Sequence, residues 1–268
     1  SLKPLAMGEF WYGLSPETAV RTQGHFYPSC TSKCGPLMGY MLQGLSTESE
    51  KDPLIGVPEI VFEDEHIIAA SKPSGMPSVP GLNGRESMEE WLSSFYGQKV
   101  YPVHRLDMDT SGIILFARNI ETSIALQKQF EQHSISKTYK ARLSRTKEGR
   151  PVADGDTGEI HLALNADYDE RPRQKVDQQQ GKTAITFYNV RSVGSDGSIE
   201  IIFHPYTGRT HQLRIHSAHT SGLGHPIIGD LLYGGSVASR LHLHAFEISF
   251  THPANGKRMT LSTSANCY

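Results

Sequence analysis

Short apolar stretches with polar positions between them dominate the chain after residue 57. KTYKARLS, AITFYNVRSV, SIEIIFHP and LHLHAFEISF alternate, which indicates strands with one buried face. The apolar run GIILFARN indicates a buried strand, and VFED followed by HIIAASKP indicates adjacent strands joined by an acidic turn. SMEEWLSSFYG and IETSIALQKQFEQHS, the latter with Asn119 as a candidate cap, indicate helices. Because strands and helices do not alternate regularly, the pattern predicts an α+β fold with a mixed, mainly antiparallel sheet and a few flanking helices.

The first 57 residues have a different character, since they mix aromatic and turn residues and end in the polar stretch STESEKD. We expect residues 1–57 to form an N-terminal appendage and residues 58–268 to form the main domain. GPLMGYMLQGL predicts one short amphipathic helix within the appendage. Cys30 and Cys34, with His25 upstream, suggest a zinc site, but a single CxxxC is a weak signal and two small residues near a turn are the alternative.

Composition narrows the function classes. The 268 residues carry 26 Lys and Arg against 28 Asp and Glu, which excludes a protein that coats nucleic acid by net charge alone but leaves room for a local basic cleft. Three cysteines favour a reducing compartment. No apolar run is long enough to span a membrane, and the opening segment is not typical of a secretory signal. These features predict a cytoplasmic protein without a membrane partner.

The densest polar cluster in an apolar setting lies at residues 103–118, VHRLDMDTSGIILFAR. A polar loop that leads into an apolar strand places its charges at a sheet edge or on the floor of a cleft. We expect the arginine beside Asp107 to lower the pKa of that carboxyl, which keeps it ionised and suited to nucleophilic attack. The alternative is a solvated turn in which Asp and Thr side chains satisfy backbone amides.

Two further clusters are basic. HPYTGRTHQLRIHSAH, residues 204–219, predicts a helix beginning near Thr210, on which Arg214 lies close to Thr210 and His211 and binds a phosphate or a partner carboxylate. KTYKARLSRTKEGR, residues 137–150, places Tyr139 among six basic residues, a pattern that can stack a base and follow a phosphate backbone. The alternatives are a solvated basic helix face and an edge strand protected by lysine. A third local basic patch is ERPRQK, residues 170–175. Positive charge that is concentrated in such patches on a nearly neutral chain favours a polyanionic substrate.

Competing motifs are weaker. Asp107, Asp109 and Thr110 lie in DMDT, which is similar to the DxDxT motif typical of Mg²⁺-dependent phosphatases, but those enzymes place the apolar strand before the motif and here it follows. The thirteen histidines show no HExxH pattern. Phosphate-loop, dinucleotide-binding and serine-hydrolase motifs are also absent from the sequence.

Taken together, the segments resemble the RluA family of pseudouridine synthases over about residues 58–263. The resemblance is carried by four motifs in the family's order: KPSG at 72–75, HRLDMDTSG at 104–112, GRTHQLRIH at 208–216 and GHPIIGD with a following YG at 224–234. It implies the pseudouridine synthase fold with a central RNA-binding cleft, and an isomerase that flips a uridine out of RNA without metal or other cofactor. The remaining alternatives are an RNA-binding protein of this fold that lacks the chemistry and the Mg²⁺-dependent phosphatase.

The resemblance also implies residue roles. Asp107 corresponds to the nucleophile that releases uracil so that it rejoins its ribose through C5. Tyr139 corresponds to the tyrosine that stacks on the flipped uracil and assists removal of the C5 proton, and Arg214 to the arginine that pairs with Asp107. Lys72 and Arg209 are expected to contact phosphates. Further substrate contacts are implied for Arg105, His104 and Thr110.

Residues 78–81 and 171–176 resemble the family members that modify both transfer RNA and large-subunit ribosomal RNA. The chain departs from them in a longer spacer at residues 217–223 and in the appendage. The resemblance therefore implies an RNA partner, either 23S ribosomal RNA or transfer RNA, with no DNA partner, and a monomer is expected.

Overall fold

A computed structural model describes residues 19–22, 25–28, 56–81 and 84–263. The chain divides into two units, Ser1–Lys51 and Asp52–Tyr268. In the first unit, strands β1 (Ala19–Thr22) and β2 (His25–Pro28) form an antiparallel pair. The predicted helix in residues 35–45 and the candidate zinc ligands Cys30 and Cys34 lie outside the described residues.

Within its described residues, 56–81 and 84–263, the second unit is built on one eleven-stranded sheet with three α-helices. Its strands are β3 (Glu59–Glu63), β4 (Ile67–Lys72), β5 (Tyr101–Pro102), β6 (Ser111–Ala117), β7 (Ser136–Ser144), β8 (Thr157–Ala166), β9 (Gln174–Val176), β10 (Lys182–Val193), β11 (Ser198–Pro205), β12 (Leu243–Thr251) and β13 (Arg258–Ser262). Its helices are α1 (Met88–Tyr96), α2 (Ile120–Glu131) and α3 (Gln212–Ala218). Within the described ranges, no helix has the length and apolarity needed to cross a membrane.

The sheet order is β3-β4-β6-β12-β7-β11-β10-β8-β9, with β5 on β6 and β13 on β12. The pairing of β6 with β12 is parallel and the other pairings are antiparallel. The predicted α+β fold with a mixed, mainly antiparallel sheet is therefore confirmed. The predicted cap of α2 is confirmed as well, because the Asn119 side chain accepts a hydrogen bond from the Thr122 amide.

The parallel junction depends on Gly112. This residue pairs with Ala245 and has a φ of 115°, which only glycine adopts readily. A Cβ at Gly112 would collide with the Ala245 backbone. The glycine thus lets β6 approach β12, and the two apolar clusters of the domain lie on either side of this junction, one around β4 and β6 and the other around β10 and β11.

The fold brings distant motifs together at this junction. The loop at residues 103–110 connects β5 to β6 and ends where β6 meets β12. Strand β7 lies on the other side of β12, so Tyr139 pairs with Ala245. Helix α3 begins after β11, which is the next neighbour of β7. The polar loop, the lysine-rich strand and the basic helix therefore converge on one place.

Candidate active site

A cavity of about 550 Å³ opens at this convergence. It is lined by residues from the 103–110 loop, the end of α2, β7, the turn after β11 and α3. Six of the eight predicted site residues line it: His104, Arg105, Asp107, Thr110, Tyr139 and Arg209. Arg214 and Lys72 lie outside the lining. The cavity places a carboxylate, a tyrosine ring and two exposed arginines around one volume, as a site for a flipped nucleotide requires.

Asp107 lies in this cavity in a setting that disfavours its charge. Burial raises the pKa of Asp107, although the charges of Arg214 and Arg105, the backbone amide of His211 and Lys72 all act to lower it. The prediction of a lowered pKa is therefore wrong in direction, because desolvation outweighs the neighbouring arginines. A carboxylate whose water is removed and whose counterions lie nearby is a stronger nucleophile than a hydrated one.

Arg214 binds another carboxylate directly. Its Nε and one terminal nitrogen donate to the two oxygens of Asp230 at 2.8 and 2.7 Å, and both side chains are almost fully buried. Burial alone would lower the pKa of Arg214, but Asp230, and then Asp107 and Asp109, raise it. The predicted direct pairing with Asp107 is replaced by this bidentate pair, through which Asp230 fixes the guanidinium while its charge acts on Asp107 through space.

His211 and Tyr233 complete the support behind Arg214. The guanidinium donates to Nε2 of His211 at 3.2 Å, so Nδ1 carries the ring proton and donates to the Tyr233 hydroxyl at 2.9 Å. Burial, followed by the charge of Arg214, lowers the pKa of His211 to about 4, which keeps the ring neutral at pH 7. The Tyr233 hydroxyl also accepts from the Gln174 amide at 2.8 Å. Asp230, His211 and Tyr233 thus hold the Arg214 guanidinium in one orientation.

Tyr139 and His104 line the cavity as neutral groups. Burial, and then the nearby charge of Asp107, raise the pKa of Tyr139 far above its usual value, so its hydroxyl stays protonated. Burial and Lys137 lower the pKa of His104 to about 3. His104 accepts a hydrogen bond from the Leu115 amide at 3.0 Å, so it positions the catalytic loop against β6 as well as facing the cavity.

The surroundings of Lys72 disagree with its predicted role as a phosphate contact. Its side chain is fully buried, and its Nζ donates to the carbonyl oxygens of Pro73, Met76 and Met108 at 3.0, 2.7 and 2.8 Å. Burial lowers the pKa of Lys72 to about 7, against the opposing charges of Asp109 and Asp107. Because its three hydrogen bonds are all made inside the protein, Lys72 links the turn after β4 to the loop at residues 103–110.

Arg209 and Thr110 keep polar atoms at the cavity. Arg209 is exposed, its Nε donates to the Thr183 carbonyl at 3.1 Å, and its amide donates to the Gln212 side chain. Gln212 also bonds Thr207 and β10, which holds the TGR turn in place. The Thr110 hydroxyl is buried and has no hydrogen-bond partner within the described part of the chain, so it is available to a substrate atom.

The lysine-rich strand does not form one continuous basic track. Strand alternation directs Lys137 and Tyr139 to the cavity, whereas Lys140 lies over the Phe246 ring and Arg142 pairs with Asp196 at 2.8 Å. Burial lowers the pKa of Lys137 to about 8. In the ERPRQK patch, residues 170–175, Arg173 pairs with Glu170 and Lys175 pairs with Asp167, so much of the positive charge of the patch is balanced locally. The exposed positive charge at the cavity comes mainly from Arg105 and Arg209.

Comparison with known proteins identifies this arrangement. The family model described as RNA pseudouridylate synthase matches residues 66–219, more than half of the chain. The chain belongs to the RNA pseudouridylate synthase family. It is 41% identical over 223 residues to the "Dual-specificity RNA pseudouridine synthase RluA" of Vibrio cholerae, covering 81% of this chain and 86% of the relative. The protein of the same name from Escherichia coli is 39% identical over 217 residues, with 77% and 93% covered.

Solved structures confirm the fold. The human RNA pseudouridylate synthase domain containing 1 superposes with a TM-score of 0.61 at 23% identity, covering 82% of this chain and 86% of that one. The human domain containing 4 gives a TM-score of 0.59 at 20% identity, with 77% and 88% covered. The protein is therefore a pseudouridine synthase, an isomerase that modifies RNA, and the silent RNA-binding protein and the phosphatase are not favoured. Among the described residues, no three His, Cys, Asp or Glu side chains are grouped to hold a metal ion.

The site also contains three residues to which the sequence motifs assign no role. Asp230 lies in GHPIIGD, and His211 and Gln212 lie in GRTHQ. Asp230 and His211 bond Arg214, and Gln212 bonds the turn before it, so both motifs contribute to positioning Arg214. A signal was present, because Asp230 is an acidic residue in an otherwise apolar segment and must be paired if it is buried.

Proposed function

We propose that this pseudouridine synthase isomerises uridines of transfer RNA or large-subunit ribosomal RNA, with Asp107 as the nucleophile. The observation that carries the proposal is the half-buried Asp107 carboxylate on the wall of a base-sized cavity, with Tyr139 beside it and the Arg214–Asp230 pair behind it. The choice of RNA rests on residues 78–81 and 171–176 and on the dual specificity named for the curated relatives.

In the proposed reaction the uridine leaves its stack and enters the cavity, which costs a few kcal/mol of stacking and pairing energy. Arg105 and Arg209 stabilise the extruded nucleotide at the cavity mouth, and the Thr110 hydroxyl bonds a polar atom of it. The Asp107 carboxylate attacks C1′ and the N1–C1′ bond breaks, with the electron pair going to the uracil. The uracil turns, C5 attacks C1′, and the Asp107–C1′ bond breaks as the C5–C1′ bond forms, which returns the carboxylate. The C5 proton is lost and N1 gains one, so no redox partner is consumed.

Tyr139 stacks on the uracil while it turns. Its raised pKa keeps the hydroxyl protonated in the free enzyme, so the hydroxyl first acts as a hydrogen-bond donor. During rearomatisation the same oxygen relays the C5 proton. The neutral His104 and the apolar side chains of Leu213 and Leu243 in the lining limit the access of water to the bond between Asp107 and C1′, whose hydrolysis would leave the uracil detached.

The test is tritium release from C5-labelled uridine in bulk transfer RNA and in large-subunit ribosomal RNA, with EDTA present. We expect release by the parent and at least about 1,000-fold less by Asp107→Asn, which keeps the size and removes the nucleophile. Tyr139→Phe should bind RNA as the parent does but lower release by roughly 100-fold or more, because only the hydroxyl is lost. Full activity of Asp107→Asn would remove Asp107 from the mechanism.

We also propose that the enzyme works as a cytoplasmic monomer, since the catalytic groups named above all come from one chain. Light scattering at micromolar concentration should give a mass near 29.7 kDa. A dimer mass at that concentration would contradict the proposal.

A further inference from the structure

Two aromatic rings form an exposed stack at the wall of the catalytic cavity. The rings of Tyr206 and His133 lie 4.4 Å apart between centroids, with an angle of 17° between their planes. The His133 Nδ1 is 3.0 Å from the Tyr206 carbonyl oxygen, which fixes the imidazole relative to the backbone of its partner. The pair therefore has a defined geometry although it lies at the surface, since Tyr206 is 51% exposed.

The pair is held in place by its backbone. His133 follows the end of α2 with a φ of 54°, and within the described residues His211 is the other non-glycine residue with a positive φ. Such a conformation is uncommon for a residue with a side chain and persists where the surroundings enforce it. Tyr206 lies in the turn after β11, three residues before Arg209. Both rings line the cavity that contains Asp107.

Both residues of the pair, His133 and Tyr206, are exposed to solvent. A large aromatic side chain buries its faces when the fold requires it, yet about half of Tyr206 remains accessible. The same cavity wall carries Lys137 and Arg209 with Glu131 as the acidic neighbour, a setting compatible with a phosphodiester chain passing close by. Aromatic faces beside positive charge are how proteins bind unpaired bases, because every base has a π-face.

We propose that Tyr206 and His133 form a stacking platform for an unpaired base next to the flipped uridine. The inference rests on the proposed function, because extrusion of the uridine deprives its neighbour of a stacking partner. The Tyr206 ring takes over that stacking from the side opposite His133. The platform would then select uridines whose neighbouring nucleotide is unpaired, as in loops and bulges, against uridines inside a continuous duplex.

The first experiment separates stacking from other roles by steady-state kinetics of tritium release on the RNA pool that the parent modifies. We expect Tyr206→Ala to raise KM about 5-fold or more with kcat within 2-fold of the parent, since the platform lies away from the reacting atoms. Tyr206→Phe should match the parent. Phe187→Ala, which removes a 44% exposed aromatic residue outside the cavity lining, is the matched control and should leave KM unchanged.

Two results of these kinetics would overturn the stacking platform. Equal losses in Tyr206→Phe and Tyr206→Ala would mean that the hydroxyl bonds a phosphate or sugar, which overturns the stacking platform. An unchanged KM in Tyr206→Ala would overturn it as well. His133→Asn retains a side chain that tolerates the left-handed conformation but removes the ring. It should raise KM by less than Tyr206→Ala does.

A second experiment needs no turnover, so it distinguishes failure of the platform from failure of the proposed function. An eight-residue oligouridylate with one central 2-aminopurine ribonucleotide is added to the Asp107→Asn protein, and fluorescence quenching reports stacking. We expect quenching with Asp107→Asn and with Asp107→Asn/Tyr206→Phe, and loss of most of it with Asp107→Asn/Tyr206→Ala. Equal quenching in all three, or none with Asp107→Asn, would overturn the inference whatever the tritium assay shows.

Discussion

The negative charge of Asp107 destabilises the folded protein, because the carboxylate is partly removed from water. Burial raises its pKa above the reference value of 3.8, so the folded state binds the proton more tightly than the unfolded chain does. The ionised carboxylate therefore lowers the free energy of unfolding at pH values above its folded pKa. That cost disappears as the pH falls below the unfolded pKa.

This cost predicts a stability gain in the inactive variant. We expect Asp107→Asn to be more stable than the parent at pH 7.5 and to have a higher Tm, since Tm rises by roughly 2–4 °C for each kcal/mol of stability gained in a domain of this size. Urea unfolding at pH 7.5 and near pH 4 measures the difference, which should shrink at the lower pH. A variant less stable than the parent at pH 7.5 would show that the ionised carboxylate stabilises the fold.

The charges around Asp107 also set the pH dependence of turnover. Arg105 lowers the pKa of Asp107, so Arg105→Gln should move the acid limb of the kcat/KM profile to higher pH. Arg209→Gln removes a second exposed arginine of the cavity that does not act on Asp107, so it should raise KM and leave the limb in place. The two profiles, measured by tritium release, must differ in this way; a shared shift would assign the limb to RNA binding.

The residues that line the cavity could be predicted because they lie in dense, recognisable motifs, whereas their partners could not. Asp107, Tyr139 and Arg105 are where the motifs indicate. The burial of Lys72 depends on carbonyl groups up to 36 residues away, and the pairing of Arg214 with Asp230 depends on how a loop folds back over α3. Both follow from tertiary packing, which a local sequence pattern does not report.

At the scale of elements, the turn after β4 holds the catalytic loop by its backbone. Beyond the three bonds of Lys72, the Gly75 amide donates to Met108, the Ser74 hydroxyl donates to the Asp109 carbonyl, and Ser78 both donates to and accepts from the backbone of Leu106. These bonds pair the amide and carbonyl of Leu106 and the carbonyls of Met108 and Asp109 without using the side chain of Asp107. KPSG and Ser78 therefore hold the backbone on either side of Asp107, the proposed nucleophile.

This arrangement makes Ser78 a positioning residue that can be tested. Ser78→Ala leaves the Leu106 amide and carbonyl without their partner, so we expect a loss of about 1–3 kcal/mol in unfolding free energy and a fall of roughly 10-fold or more in kcat with little change in KM. Asn119→Ala removes the cap of α2 and should cost about 1 kcal/mol. This control should retain the parent kcat, and an equal fall in both variants would attribute the effect to stability alone.

The elements themselves were predictable where their pattern is local. Alternation in KTYKARLS and SIEIIFHP corresponds to β7 and β11, and the apolar run corresponds to β6, whose residues are all buried. The neighbours of these strands were not predictable, because β6 pairs with β12 across more than 100 residues of sequence and through only two paired positions. Gly112 in the TSG motif marks that junction, yet its need for a left-handed φ is visible only in the structure.

At the scale of the whole molecule, RNA binding has to come from local features, because the chain carries a net charge of −2. The appendage, residues 1–57, does not alter that balance, since it has four Lys and Arg against five Asp and Glu. It does contain six aromatic residues. Any contact of the appendage with RNA would therefore involve stacking more than counterion release.

We expect deletion of residues 1–57 to weaken binding of long RNA more than binding of a short stem-loop, because a short RNA that fills the cavity reaches fewer additional surfaces. The slope of log Kd against log salt should stay within about one unit of the parent, since the deleted segment contributes no net positive charge. The kcat on the stem-loop should also be unchanged, because the catalytic groups lie in residues 58–268. Filter binding at 50 and 200 mM salt measures both effects. Equal weakening for the two RNAs would show that the appendage supports the catalytic domain and makes no RNA contact of its own.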